Sequence, residues 1–253
     1  MMSYTLLRSD SARPVVLCCD HAGHTVPKEL ENLGLSDAQI RQHIGWDIGA
    51  ADVTAHIAES LDISAVLSMY SRLYIDCNRA PSSSGSIPEK SDNIIIPNNH
   101  NLSLDDKIGR AELSLWPYHQ ALSAALARRW QGRVAPVLVS IHSFTPALQG
   151  GDLRPWHFGL ISGHDRRLAD RVIDQFRHYA EICLGDNEPY SGFDISYTLN
   201  SHGLSSGIAH LGIEIRQDLI NTPEGVAHYG AILADVLKRA LDCLLYTSPS
   251  PRD

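Results

Sequence analysis

The segment VVLCCDHAGHTVP (Val15–Pro27) decides the fold, because it joins a short apolar run to a polar loop. Its first five residues are apolar, which predicts a buried strand that stops at Asp20. Downstream, Ser36 fits the N-cap of a helix, and apolar residues at helical spacing predict that this helix continues from about Asp37 to Leu61. The apolar run Ala65–Met69 then predicts a second strand. This alternation of strand and helix is typical of an α/β protein.

The same alternation continues over the rest of the chain. Further strands are predicted at Leu73–Asp76, Val134–Ile141, Phe158–Ile161 and Ile208–Ile215, and further helices at Leu104–Trp130, at His164–Leu184 and from Pro223 to about Leu241 after the N-cap Thr222. Ala80–Asn101 is rich in Ser, Pro and Asn and predicts a long loop, of the kind often found over an active site. The pattern predicts a three-layer α/β/α sandwich with a mostly parallel mixed sheet. Because no repeat or linker divides residues 1–242, we expect a single domain.

The last eleven residues, CLLYTSPSPRD (Cys243–Asp253), change abruptly in composition after the last predicted helix. The string resembles one reading frame of a common transposase sequencing-library adapter. We therefore expect this tail to derive from adapter sequence and to play no part in the fold. The alternative is a natural tail rich in Ser and Pro.

Composition and charge exclude several classes of protein. The chain has 253 residues, of which 43% are hydrophobic and 20% charged, as in a soluble globular protein rather than a disordered one. Its 29 acidic and 21 basic residues give a net charge of −8, which disfavours nucleic acid as a main ligand. No apolar run approaches the roughly 20 residues of a membrane helix. Five cysteines, two of them adjacent, do not form a disulfide pattern, and no secretory signal is visible, so the expected location is the cytoplasm.

Histidine is unusually frequent, with 13 residues, which favours metal or acid–base chemistry. His21 and His24 follow the first strand, and two histidines three residues apart on a loop can bind one metal ion. A surface or hydrogen-bonding pair is the alternative. His142 lies at the end of the most apolar strand, where open α/β sheets place their ligands. A histidine that only forms a hydrogen bond at a strand end is the alternative there.

Three other places combine polar residues with strand ends or loops. Arg72, Asn78 and Arg79 suit the recognition of a carboxylate, although a structural salt bridge in which Asp76 holds one of the arginines is an alternative. Glu214 lies in an otherwise apolar strand, where burial of a carboxylate costs free energy unless the group is paired or functional. A general base is one interpretation, and a buried ion pair with Arg216 is the alternative. Asp47 is a further candidate in a helical segment, and a surface position without function is the alternative. His202 lies in a loop and is a candidate donor to an oxyanion; a loop histidine with neither role is the alternative.

In this order, the segments resemble the N-formylglutamate amidohydrolase family over most of Pro14–Asp218. The resemblance is carried by CDHAGHTVP (Cys19–Pro27), HIGWDIGA (His43–Ala50), YSRLYIDCNR (Tyr70–Arg79), WPYH (Trp116–His119), SIHSF (Ser140–Phe144) and HLGIEIRQDLI (His210–Ile220). Each motif is short, but the ordered set is specific. Several motifs are also similar to those of zinc carboxypeptidases, which implies a zinc-carboxypeptidase-like sandwich of the phosphorylase/hydrolase-like type.

The resemblance implies one zinc ion per chain, bound by His21, His142 and a third ligand. Carboxypeptidases carry a Glu three residues after the first His, where this chain has His24. Related amidohydrolases carry an acidic residue that matches Asp47, so Asp47 is the preferred third ligand and His24 the alternate. Glu214 is then implied to be the general base.

The resemblance also implies that Arg72, Asn78 and Arg79 hold substrate carboxylates and that His202 or Arg72 stabilises the oxyanion. The implied reaction is hydrolysis of the amide bond of a small N-acyl amino acid, with N-formyl-L-glutamate, cleaved to formate and glutamate, as the family type. Alternatives are a hydrolase of another acylated amino acid or small peptide, and a non-catalytic protein that binds a carboxylate or a metal. The expected partner is a small molecule, not nucleic acid or a membrane.

Overall fold

The computed structural model of the protein describes residues 2–130, 134–148, 150–193 and 196–247. The strands are β1 Tyr4–Leu7, β2 Val15–Cys19, β3 Ser64–Ser68, β4 Lys90–Ser91, β5 Ile94–Ile95, β6 Val137–Phe144, β7 Phe158–Ile161, β8 Leu184–Asp186 and β9 His210–Arg216. The α-helices are α1 Asp37–Ile40, α2 Ala50–Leu61, α3 Leu104–Arg110, α4 Trp116–Arg129, α5 Ala169–Phe176 and α6 Pro223–Thr247. Short 3₁₀ turns lie at Lys28–Gly34, Pro97–Asn99 and Gln217–Leu219, and π-helical turns at Ala111–Leu115 and Leu199–Leu204.

Seven of the described strands form one mixed sheet in the order β1-β3-β2-β6-β9-β7-β8. The four central strands β3, β2, β6 and β9 are parallel, and so are β7 and β8. Within the described part of this sheet, the β1–β3 and β7–β9 pairings are antiparallel. Helices cover both faces, so the predicted α/β fold with a mostly parallel mixed sheet is confirmed.

The two faces of the sheet carry two separate hydrophobic clusters, because successive residues of a strand point to opposite sides. Val139 and Ile213 belong to the face that packs on α2, α5 and α6. Leu138 belongs to the opposite face, which packs on α4. By the same alternation, His142 and Glu214 point to the α4 side, and the two residues are paired in register on neighbouring strands. The sheet therefore delivers both groups to one place.

The predicted helix Asp37–Leu61 is interrupted. Its N-cap is correct, because the Ser36 hydroxyl accepts a hydrogen bond from the Gln39 backbone N–H. However, α1 ends at Ile40, and α2 begins only after Gly49, which has a φ of 78°. A Cβ at Gly49 would collide with a backbone carbonyl, so this turn requires glycine. The interruption removes Asp47 from the helix and places it in the connecting loop.

Other predicted elements shift for identifiable reasons. The predicted strand Leu73–Asp76 is wrong: these residues form turns, and their apolar side chains are buried in a separate small cluster rather than in the sheet. The predicted strand Val134–Ile141 begins later, at Val137, since Pro136 has no N–H to donate to a neighbouring strand. The predicted helix His164–Leu184 is reduced to α5, and its last residue begins β8.

The last helix is longer than the sequence indicates. Thr222 is its N-cap, since its hydroxyl accepts a hydrogen bond from the Gly225 N–H at 3.2 Å. The predicted end near Leu241 is wrong, because α6 continues to Thr247 and buries Leu244 against the core. The expectation that Cys243–Asp253 plays no part in the fold is therefore wrong for Cys243–Thr247, which complete α6. Residues 248–253 lie outside the described residues, and the adapter origin of the tail stays a prediction. None of the described helices combines the length and apolar character required to cross a membrane.

Candidate active site

Three side chains that the sequence singles out converge at the carboxyl edge of the parallel strands. His21 follows β2, His142 lies near the end of β6, and Asp47 comes from the loop between α1 and α2. All three are buried, and their ligand atoms lie within 4.8 Å of one another. Asp47 Oδ2 is 3.3 Å from His21 Nδ1 and 2.8 Å from His142 Nδ1. A backbone hydrogen bond from Asp47 N–H to the His21 carbonyl, at 3.0 Å, holds the loop in this position.

Two further carboxylates, those of Asp76 and Asp20, orient the two histidine rings. His21 Nε2 lies 2.7 Å from Asp76 Oδ1, and His142 Nε2 lies 3.1 Å from Asp20 Oδ2. When each Nε2–H donates to its carboxylate, the Nδ1 lone pairs point to the space beside Asp47. Metal-binding histidines are held in this way in many proteins. Two imidazole nitrogens and one carboxylate oxygen that leave other positions open form a ligand set that fits a catalytic zinc ion.

The charges of the cluster also fit a cation. Burial by itself raises the pKa of a carboxyl, yet the neighbouring histidines hold the pKa values of Asp20, Asp47 and Asp76 well below the ordinary range. Burial likewise opposes a charge on His142, but Asp20 and Asp47 raise the pKa of its imidazole well above the ordinary value. Three ionised carboxylates thus surround a space that favours positive charge, which a metal ion supplies.

Glu214 faces this cluster from β9, opposite His142. Its side chain is buried, and within the described part of the chain its Oε2 has no hydrogen-bond partner. Burial, with a further contribution from Asp47, raises the pKa of this carboxyl to about 7 although His142 lowers it. Arg216, the alternative partner, instead donates through Nε to Asp218 at 2.8 Å. A buried carboxyl with a near-neutral pKa is suited to proton transfer.

The turn that follows Ser71 carries the three predicted substrate-binding residues. Arg72 is 29% exposed and bridges the cluster, with 3.4 Å from Nη1 to Asp47 Oδ1 and 3.0 Å from Nη2 to Asp76 Oδ2. The Asn78 side-chain carbonyl accepts a hydrogen bond from the Thr198 backbone N–H, and its Nδ2 bonds no other side chain or carbonyl among the described residues. Among the residues that the structure describes, no acidic side chain pairs with Arg79. The Asp76 side chain thus forms a salt bridge with Arg72, as in the salt-bridge alternative, but not with Arg79.

His202 and His24 lie outside the three-residue cluster. His119 Nε2–H donates to the Cys77 carbonyl at 2.9 Å, so its Nδ1 accepts from His202 Nε2 at 2.8 Å. Burial, followed by His119, lowers the pKa of His202 to about 4, so His202 is neutral and its Nε2–H is already used. The His24 ring packs on Trp46, with 4.9 Å between ring centroids. The choice of Asp47 as third ligand stays a prediction. The role of His202 as oxyanion donor also stays a prediction, and Arg72, which lies beside Asp47, is the other candidate for that role.

Sequence reasoning missed several polar groups of the site. Asp20 is the residue before His21, and this adjacency was the only available signal for it. Tyr118 and His119 lie in the WPYH motif, to which no role was given. Thr198 carried no signal, although its hydroxyl donates to Asp20 across 178 positions of the chain.

Comparison with known proteins identifies the family of the chain. A model of the N-formylglutamate amidohydrolase family, FGase, matches residues 13–221, which include every predicted site residue. With the fold and the site, this match defines the chain as a hydrolytic enzyme that cleaves amide bonds. The chain belongs to the N-formylglutamate amidohydrolase family.

Solved structures resemble the chain over nearly its whole length. The gene product Atu2144 from Agrobacterium tumefaciens is 32% identical, with a TM-score of 0.91 and 96% coverage of both chains. The N-formylglutamate amidohydrolase from Ralstonia eutropha JMP134 is 22% identical, with a TM-score of 0.73 and coverage of 96% of this chain and 98% of the other. At that identity, the second likeness concerns the fold. A search of curated protein sequences gave no match.

Proposed function

We propose that the protein is a zinc-dependent amidohydrolase that cleaves the amide bond of a small N-acyl amino acid of the N-formyl-L-glutamate type. The observation that carries this proposal is the position of buried Glu214, whose Oε2 has no hydrogen-bond partner among the described residues, on the strand that faces the convergent ligand atoms of His21, Asp47 and His142. A protein that only bound a metal or a carboxylate would not require a desolvated base at this position. The non-catalytic alternative is therefore disfavoured.

The proposed metal ligands are His21, Asp47 and His142, with one zinc ion per chain. When bound, zinc lowers the pKa of water from about 15.7 towards 7 and polarises the scissile carbonyl. Glu214 accepts a proton from the attacking water and then delivers it to the nitrogen of the leaving amine. In the metal-free site burial raises the pKa of Glu214 to about 7, and a bound cation beside it would lower this value and favour the ionised form that accepts a proton.

The turn Ser71–Arg79 is proposed to bind and orient the substrate. Arg79, without an acidic partner in the described part of the chain, and the Asn78 amide nitrogen donate to a substrate carboxylate. Arg72 lies beside Asp47 and is fixed by Asp76, so it stabilises negative charge on the carbonyl oxygen during attack. His202 is kept as the second candidate for that role.

The proposal is tested by formate release from N-formyl-L-glutamate, measured in zinc-loaded protein and in protein stripped by a chelator. We expect activity with about one zinc per chain, its loss on chelation and its return on adding zinc. His142→Ala should abolish both zinc binding and turnover. His228→Ala, which changes an exposed histidine of α6, is the matched control and should retain both.

A substrate panel then separates the remaining alternatives. N-acetyl-L-glutamate tests the acyl group, N-formyl-L-leucine tests the second carboxylate, and a dipeptide tests peptide hydrolysis. Full activity in protein verified to be free of metal would reject the zinc mechanism. Zinc binding without hydrolysis of any member of the panel would favour the non-catalytic alternative.

A further inference from the structure

A continuous series of hydrogen bonds joins the proposed metal site to the proposed substrate-binding turn. His142 Nε2 lies 3.1 Å from Asp20 Oδ2, and Asp20 Oδ1 accepts from the Thr198 hydroxyl at 2.8 Å. The Thr198 backbone N–H then donates to Asn78 Oδ1 at 3.0 Å. Thr198 is fully buried, immediately before the π-helical turn Leu199–Leu204. One residue therefore contacts the supports of both sites.

Asp20 is the support on the metal side. Its buried carboxylate has four donors around it: the Tyr118 hydroxyl at 2.7 Å and the Thr198 hydroxyl at 2.8 Å on Oδ1, and His142 together with the Ser140 hydroxyl at 3.2 Å on Oδ2. An ionised carboxylate away from water requires such donors to stay in place. Loss of the Thr198 hydroxyl removes one of the two donors to Oδ1. The Asp20 carboxylate can then rotate, and it orients the His142 ring less well.

Asn78 is the support on the substrate side. An amide has one acceptor oxygen and one donor nitrogen, so the Thr198 N–H on Oδ1 decides which end of Asn78 is presented to a ligand. The Thr198 hydroxyl also lies 3.4 Å from the carbonyl of Cys77, the residue before Asn78. The hydroxyl has one proton, which goes to Asp20 Oδ1 at the shorter distance, so Thr198 is bonded to the turn through its backbone N–H and Asn78 Oδ1.

We propose that Thr198 is a positioning residue that couples the orientation of His142 to that of the Asn78 amide. It acts through Asp20 and through Asn78, and it contacts neither the metal nor the substrate itself. This inference rests on the proposed function, because it requires that the histidine cluster binds zinc. Its consequence is that a change at Asn78, the residue of the turn that bonds Thr198, alters zinc affinity.

The first test measures the zinc affinity of metal-free protein by competition with a chromophoric chelator. Thr198→Val keeps the size of the side chain and removes the hydroxyl, whereas Thr198→Ser keeps the hydroxyl. We expect Thr198→Val to weaken zinc binding by up to about tenfold, because Thr198 acts one residue further from the metal than Asp20, and loss of a direct partner of a ligand costs about 10- to 100-fold. Thr198→Ser should stay close to the wild type. Thr54→Val is the matched control, because Thr54 is equally buried but donates to Ala50 within its own helix.

The second test measures whether the substrate-binding turn is connected to the metal site. Asn78→Ala removes the acceptor of the Thr198 N–H and should weaken zinc binding on the order of two- to tenfold. Arg79→Ala changes the neighbouring substrate-binding residue without touching this series of hydrogen bonds, and its zinc affinity should equal that of the wild type. The double variant of Thr198→Val and Asn78→Ala should lose less affinity than the product of the two single losses.

The outcomes are distinguishable. Wild-type zinc affinity in a folded Thr198→Val protein would overturn the role of Thr198 and leave the proposed function intact. If Thr198→Val does not fold, equal zinc affinities of Asn78→Ala and Arg79→Ala would overturn it instead. Failure of the wild type to bind zinc would reject the proposed metal site and the role of Thr198 with it.

Discussion

Replacement of Glu214 by glutamine keeps the shape of the side chain and removes its capacity to accept a proton. Glu214 is only 5% exposed, and its Oε2 has no partner among the described residues, so the change removes a base without breaking a hydrogen bond at that oxygen. We expect the zinc content and the fold to be retained. Turnover of N-formyl-L-glutamate should fall by roughly 10²- to 10⁴-fold, the usual effect of losing a general acid–base group.

The same change should stabilise the metal-free protein in alkaline solution. The pKa of Glu214 is raised from an ordinary 4.5 to about 7, so the folded state disfavours the ionised carboxyl. The unfolded chain loses this proton at a lower pH, and stability therefore falls as the pH rises from 4.5 to 7 and stays reduced above 7. At about 1.4 kcal/mol per pKa unit, the charged glutamate costs on the order of 3 kcal/mol at pH 8 and little below pH 4.5.

Two measurements check this pair of effects. Formate release gives the turnover of zinc-loaded protein, and urea unfolding at pH 4.5 and pH 8 gives the free energy of unfolding of metal-free protein. Glu224→Gln is the control, since Glu224 is an exposed glutamate in the first turn of α6. The burial of any unpaired glutamine amide is independent of pH, so only a difference between the two pH values reports the carboxyl. Wild-type turnover in Glu214→Gln would refute the general base, and an equal change in stability at both pH values would refute its desolvation.

Three further outcomes follow from the site and from the last helix. Asp47→Ala should lower zinc affinity by at least tenfold in chelator competition while His24→Ala leaves it unchanged, and the reverse would make His24 the third ligand. Arg79→Ala should raise KM for N-formyl-L-glutamate by about 10-fold or more and by less for N-formyl-L-leucine, because a guanidinium recognises carboxylate charge; equal increases would remove Arg79 from the second carboxylate. Truncation after Asp242 removes the buried Leu244 and should lower the free energy of unfolding by about 1–3 kcal/mol, whereas unchanged urea unfolding would show that the end of α6 adds nothing.

The sequence predicts those site residues that lie on regular strands. His142 and Glu214 are polar residues in apolar runs, and such positions mark the ends and faces of buried strands. His21 follows such a run directly. Since parallel strands present their carboxyl ends at one edge, the convergence of these side chains follows from the fold class.

Residues placed by loops and by long-range contacts are less accessible to such reasoning. The apolar residues around Asp47 do have helical spacing, but this spacing does not reveal that Gly49 turns the chain. The turn moves the Asp47 carboxylate to the edge of the sheet. The apolar residues near Leu73 fill a small separate cluster, and burial of this kind produces the same pattern as a strand. A single hydrogen bond such as that between Thr198 and Asp20 has no periodicity at all.

The proposed zinc ligands come from distant parts of the chain: His21 and Asp47 are 26 positions apart, and Asp47 and His142 are 95 positions apart. A bound ion would therefore act as a reversible cross-link that closes two long loops and removes conformations from the unfolded ensemble. Disulfides that close loops of 15 to 100 residues contribute roughly 3–5 kcal/mol in this way in the chain-entropy model. Unlike a disulfide, the ion stabilises the fold by an amount that increases with the logarithm of the free zinc concentration above the dissociation constant, so resistance to proteolysis would follow that concentration.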